Sequence, residues 1–284
     1  MERFRAVVNW LLNLGVKMSD HLVLFDMDGT LTPARGQMGD EIAKALMELL
    51  WVAEVGVVSG SDYNYLQEQM PQVFEDMLLN RIIILPCNGT KVYKHKDKID
   101  DYEEIYFNNM EEHLGAEVMA GIMAIIFDLQ KCLVKEKGLL IPLTGNFLEL
   151  RGSMINWCPI GRNANTDQRE QFRELDQETG LRVRFLGRLN RRLKRIDSRV
   201  TAVLGGNTSF DIYPSGWDKT YVLKHFDDYE KIWFVGDRCE EFGNDAALYD
   251  AIKPTGFAYK TRDPAQTLEI IESIVRRIAD EKSH

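Results

Sequence analysis

Short apolar runs alternate along this chain with longer amphipathic stretches. His21 to Phe25 is an unbroken apolar run that ends on Asp26, Asp28 and a Gly29-Thr30 turn, the pattern of a strand buried on both faces. Asp40 to Leu50 repeats its apolar residues at helical spacing, and Glu54 to Val58 predicts a second strand that stops at Ser59-Gly60-Ser61-Asp62, where a helix begins. Arg81 to Leu85 predicts a third strand, followed by Asn88-Gly89 and a returning strand from Thr90 to Tyr93. This βαβαβ order predicts a parallel, doubly wound sheet, with chemistry at the carboxyl ends of its strands.

From about Asn108 the texture changes. An apolar helix is predicted from Ala116 to Val134, a Gly- and Arg-containing stretch runs from Phe147 to Arg162, and a polar helix covers Thr166 to Glu178. Strands follow near Thr201 to Leu204 and Ser209 to Tyr213. Ile232 to Val235 then restores a buried strand ending on Gly236-Asp237, and Thr267 to Ile278 predicts a closing helix. The expected fold class is α/β: a Rossmann-like parallel-sheet core domain at 18–106 and 216–284, an inserted α+β cap domain at 107–215, and an N-terminal extension at 1–17.

Composition narrows the function without naming it. With 45% hydrophobic and 28% charged residues in 284, the chain reads as globular rather than disordered. Its net charge of −9 argues against a broad surface for nucleic acid or anionic membrane, and the basic run Arg188 to Arg195 reads as a solvated face. Glu117, Asp128 and Lys131 make the 116–134 stretch a core helix rather than a membrane span. The apolar run Ala6 to Val16 is broken by Asn9 and Asn13 and lacks a small-residue cleavage site, so it does not read as a secretion signal, and Met18 can serve as the start. Cys87, Cys132, Cys158 and Cys239 form no C-x-x-C pair, which fits a reducing cytoplasm and neither zinc nor a disulfide framework.

The chemistry gathers at strand ends. Asp26 and Asp28, with Gly29 letting the chain turn, can both approach one phosphate: Asp26 as nucleophile, Asp28 as the acid/base that serves the oxygen on the other side. Phosphate and carboxylates repel one another, so a hard cation is required, and Mg²⁺ with Asp237 as a further ligand suits the donor set. On its own a D-x-D-G-T turn fits a solvated loop equally well.

The companions change that balance. Asp26-Met27-Asp28-Gly29-Thr30-Leu31-Thr32, then Ser59-Gly60, Lys219, and Gly236-Asp237 with Gly243-Asn244-Asp245 are four stations in the order of the haloacid dehalogenase superfamily, which this chain closely resembles. The resemblance implies that Ser59 and Lys219 hold the transferring phosphoryl group and that Asp26, Asp28, Asp237 and Asp245 serve the metal. It extends to the eukaryotic-type phosphomannomutases. Leu148 to Asn156, Pro159-Ile160-Gly161-Arg162, Gly205 to Pro214 and Gly216 to Lys219 look like that family's cap and return segments. The resemblance implies that Arg151, Arg162 and Arg169 bind the non-reacting phosphate, that Asn156, Ser209 and Asp211 contact the substrate, and that the reaction interconverts mannose 6-phosphate and mannose 1-phosphate. An aspartyl-phosphate, a hexose 1,6-bisphosphate primer and a cap-to-cap homodimer are implied with it; a sugar-phosphate phosphatase of the same fold is the alternative. Three departures stand out: Ser59 for a usual glycine, Arg238 for a usual lysine, and Phe242 for a usual glycine, the last bearing on a second cation site.

Overall fold

The computed structural model describes residues 19–96, 101–136, 140–241 and 243–281. The extension at 1–17, Met18 and Phe242 lie outside the described residues. In chain order the elements are β1 (His21–Phe25), α1 (Asp40–Leu49), β2 (Glu54–Val58), α2 (Tyr63–Gln69), α3 (Pro71–Glu75), β3 (Ile83–Leu85), β4 (Lys91–Lys96) and β5 (Asp101–Phe107). There follow α4 (Met110–Leu114), α5 (Ala116–Val134), β6 (Leu148–Leu150), β7 (Ile155–Trp157), α6 (Thr166–Thr179), α7 (Leu181–Ile196), β8 (Val200–Gly205) and β9 (Ser209–Pro214). The chain closes with a 3-10 turn at Lys219–His225, β10 (Lys231–Gly236), α8 (Ala246–Ile252), β11 (Ala258–Lys260) and α9 (Pro264–Glu281).

Seven strands form one sheet in the order β11-β10-β1-β2-β3-β4-β5. The first five positions are parallel, whereas β4 and β5 run antiparallel at the edge. Period-two alternation explains the layers: Val23, Phe25, Val55 and Val57 pack under α1 and α9, while Leu22, Leu24, Val58 and Phe234 face α8 and the Lys219–His225 turn. Both faces are covered, as a parallel sheet requires. Two strands of this sheet were not anticipated. In β5 only Tyr102 is buried, so no apolar alternation announces it, and β11 has three residues.

Between β5 and β10 lies an inserted α+β unit with its own sheet, ordered β6-β7-β9-β8. Ile155, Trp157, Phe210 and Ile212 point to one face, against Ile126 and Leu129 of α5 and Phe185 and Leu189 of α7. Asn156 and Asp211 are register partners on the other face. The basic run sits on α7, a helix whose Leu181, Phe185, Leu189 and Leu193 are buried at four-residue spacing while Arg191, Lys194 and Arg195 face solvent. The α5 helix buries Ile122, Ile125, Ile126, Leu129 and Leu133 as a core helix. No helix among the described residues is long and apolar enough to cross a membrane.

Candidate active site

Asp26 stands where β1 ends, and its backbone N–H still bonds the Val235 carbonyl of β10 at 2.9 Å. Asp237 follows β10, and Asp245 comes in at the head of α8. One oxygen from each of these three carboxylates lies within 4.8 Å of the others. Gly29 makes that approach possible: its φ is +85°, and a Cβ there would lie 2.3 Å from Asp237 Oδ2. Lys219 reaches in beneath, fully buried, its ammonium donating to both Asp26 and Asp245.

The electrostatics of this group are unbalanced. Burial, then repulsion from Asp245, raises the Asp26 pKa, with Lys219 pulling the other way. Burial and Asp245 likewise push Asp237 up to about 7. Burial works against the charge on Lys219, but Asp245 and Asp26 outweigh it and its pKa is raised. Three carboxylates and one ammonium leave two negative charges at one place. Asn244 Oδ1, in the same wall, is buried with no hydrogen-bond partner among the described residues. A hard dication fits this oxygen-rich donor set. Asp28 turns its carboxylate elsewhere: its Oδ1 accepts from the Tyr65 hydroxyl and the Arg35 backbone N–H, both at 3.0 Å.

Asp26, Asp28 and Asp237 line one wall of a cavity of about 430 Å³, with Ser59 beside them. The opposite wall comes from the inserted unit: Asn156, Ser209 and Asp211 on its sheet, Arg151 and Arg162 on its loops and Arg169 on α6 all border the cavity. Lys219 and Asp245 do not line it; they lie behind Asp26. Asn156 Nδ2 donates to Ser209 Oγ at 3.0 Å and to Asp211 Oδ1 at 2.6 Å, and its Oδ1 accepts from Arg162 Nη1 at 3.1 Å. Arg169 donates to the Ala164 and Arg162 carbonyls and to Thr208 Oγ1, which fixes its guanidinium at the rim. Arg151 is buried; burial disfavours its charge, but Asp211 and Glu149 more than compensate and hold its pKa up. Its Nη1 donates to the Gly60 carbonyl at 2.6 Å, tying the inserted unit to the loop that carries Ser59.

Sequence reasoning missed several residues at the site. Glu149 on β6 pairs with both Arg151 and Arg162, and its place two residues before Arg151 was a usable signal. Arg35, Tyr65 and Arg173 also line the cavity and carried no motif. Cys158 borders it too, with its Sγ 3.6 Å from Thr208 Oγ1.

A parallel sheet whose strand ends converge acidic groups on a buried lysine, facing an inserted cap across a cleft, defines the haloacid dehalogenase class. Solved structures that share the fold align over most of the chain. An IMP-bound, N-terminally truncated IMP-nucleotidase from Plasmodium falciparum superposes with TM-score 0.60 at 15% identity, covering 96% of this chain and 72% of that one. The C-terminal domain of a trehalose-6-phosphate phosphatase from C. albicans gives 0.57 at 15%, covering 95% and 96%. Sequence comparison is more specific. The family model described as Eukaryotic phosphomannomutase matches residues 42–277. The phosphomannomutase of Schizosaccharomyces pombe is 33% identical over 261 residues, covering 91% of this chain and 95% of that protein. That of Arabidopsis thaliana is 32% identical over 255 residues, covering 88% and 95%. The chain belongs to the eukaryotic phosphomannomutase family.

Proposed function

We propose that this protein interconverts mannose 6-phosphate and mannose 1-phosphate by passing a phosphoryl group through Asp26. One observation carries the reading: a basic, hydrogen-bonded wall faces the acidic strand ends across a single cavity, so a sugar with a phosphate at each end has a partner for both. The guanidinium groups of Arg151, Arg162 and Arg169 would fork onto the far phosphate and fix the sugar's orientation. Asn156, Ser209 and Asp211 would meet its hydroxyls.

With Asp26 phosphorylated, Asp28 takes the proton from the sugar hydroxyl as that oxygen bonds phosphorus and the bond from phosphorus to Asp26 breaks. The resulting hexose 1,6-bisphosphate reverses end for end. Its other phosphoryl group then returns to Asp26 while Asp28 protonates the departing oxygen. Ser59 and Lys219 hold the transferring group, and a hexose 1,6-bisphosphate primes the cycle. Asp26, Asp237 and Asp245, with Asn244 nearby, would hold Mg²⁺, which supplies charge neutralisation on the phosphoryl oxygens. We place the division between core and cap near 106/107 and 215/216, and read the exposed Phe127, Val134, Leu143 and Leu150 of the cap as a surface for a second copy. The cysteine usage supports a cytoplasmic location.

The discriminating experiment measures conversion of mannose 1-phosphate against release of inorganic phosphate, with and without hexose 1,6-bisphosphate. Isomerisation stimulated by the bisphosphate supports the mutase; phosphate release without isomerisation replaces it with the phosphatase reading.

The metal reading has its own test. Asp237 has a folded pKa near 7 against an ordinary value of 3.8, so its contribution to stability is fully present below about pH 3.8 and lost as pH rises through about 7. Asp26 shifts in the same direction. Mg²⁺ needs both groups deprotonated, so the rise in melting temperature on adding Mg²⁺ should be larger at pH 8 than at pH 5.5. Equal rises at the two pH values would remove these carboxylates as the ligands.

A further inference from the structure

Asp28 is gripped by one oxygen only. The Tyr65 hydroxyl and the Arg35 N–H both donate to Oδ1, each at 3.0 Å, and no hydrogen bond among the described residues reaches Oδ2. A carboxylate accepts at both oxygens, so two donors converging on one of them leave the other available for a proton. The donors are themselves held. Tyr65 lies in the first turn of α2, where its backbone N–H bonds the Asp62 side chain at 3.0 Å and its ring packs against the core. Arg35 delivers its amide by adopting φ 60°, the left-handed region that a residue with a Cβ disfavours, in a turn closed by the Gly36 N–H to the Pro33 carbonyl at 2.8 Å. Unfavourable backbone kept at a site edge is the usual mark of a geometry the site needs.

We propose that Tyr65 is a positioning residue for phosphoryl transfer: with the Arg35 amide it fixes Asp28 by Oδ1 and reserves Oδ2 for the proton of the sugar hydroxyl. The inference rests on reading Asp28 as the acid/base. In the transfer from Asp26 to the sugar, the O–H bond breaks as its oxygen bonds phosphorus, the proton passes to Oδ2, and the bond from phosphorus to Asp26 breaks; in the return transfer phosphorus bonds Asp26, its bond to the sugar oxygen breaks, and the proton passes from Oδ2 to that oxygen. Without the Tyr65 anchor the carboxyl group samples other rotamers, and the fraction of bound complexes with Oδ2 in line falls. The sugar phosphate is gripped elsewhere, so binding is untouched.

The test is Tyr65→Phe, which removes one oxygen and keeps the ring in the core. Expected is a fall in kcat of about tenfold with KM for mannose 1-phosphate within about twofold of the parent. The same change in an Asp28→Asn background is expected to cost nothing further. Unchanged kcat in Tyr65→Phe, or a rise in KM with kcat preserved, overturns the proposal, as does an equal fall in the Asp28→Asn background. An Asp28→Asn protein with near-parental turnover instead sinks the acid/base reading on which the proposal stands, so the two failures are told apart.

Discussion

Asp26→Asn is expected to lower mannose 1-phosphate turnover by at least about four orders of magnitude while leaving the fold intact. The amide keeps the shape of the carboxylate but cannot form an acyl phosphate, so no later residue can receive the phosphoryl group. Folding should not suffer. Burial and Asp245 already disfavour the Asp26 charge, and the substitution leaves Lys219 paired with Asp245. A melting temperature equal to or above the parent's, together with absence of a phosphoryl adduct by mass spectrometry, is the anticipated result. Turnover within tenfold of the parent would exclude covalent catalysis at Asp26.

Lys219→Met should behave oppositely, losing stability as well as activity. The ammonium is enclosed between Asp26 and Asp245, all three buried. Deleting it leaves two carboxylates close together with nothing to offset them, and breaking a buried pair in this way costs about 3–5 kcal/mol. Urea unfolding measures the loss, and a value below about 1 kcal/mol would mean that the lysine is not electrostatically required. Added Mg²⁺ should recover part of the stability but not the activity, since the proposed phosphoryl transfer also draws on the lysine.

What could be read from the sequence follows from how strongly each element is buried. The strands β1, β2 and β10 carry unbroken apolar runs because both faces are covered, and each ends on residues that reach the site: Asp26, Ser59 and Asp237. Asp211 and Asn156 were readable only through family likeness, since strand alternation shows that they face away from Phe210 and Trp157 but not what they face. The density of arginine on α7 masks the four-residue spacing of Leu181, Phe185, Leu189 and Leu193, so the sequence shows the solvated face of Arg188 to Arg195 but not the helix beneath it. Other features have no local signature at all. Pairing of Arg151 with the Gly60 carbonyl joins residues 91 apart, and contact of Tyr65 with Asp28 joins residues 37 apart. Such contacts exist only after the chain has folded, and the turn of Asp28 away from its neighbouring acids belongs to the same category.

The order of strands bears on how the protein must be made. The partner of β1 on one side is β10, yet β1 ends at residue 25 and β10 begins at residue 231. During synthesis at about 5–20 residues per second, the apolar edge of β1 therefore waits roughly 10–40 s for the strand that covers it. Through that interval the nascent chain offers a ready template for pairing with another polypeptide, and that edge of β1 closes only once Lys231 to Gly236 has been made.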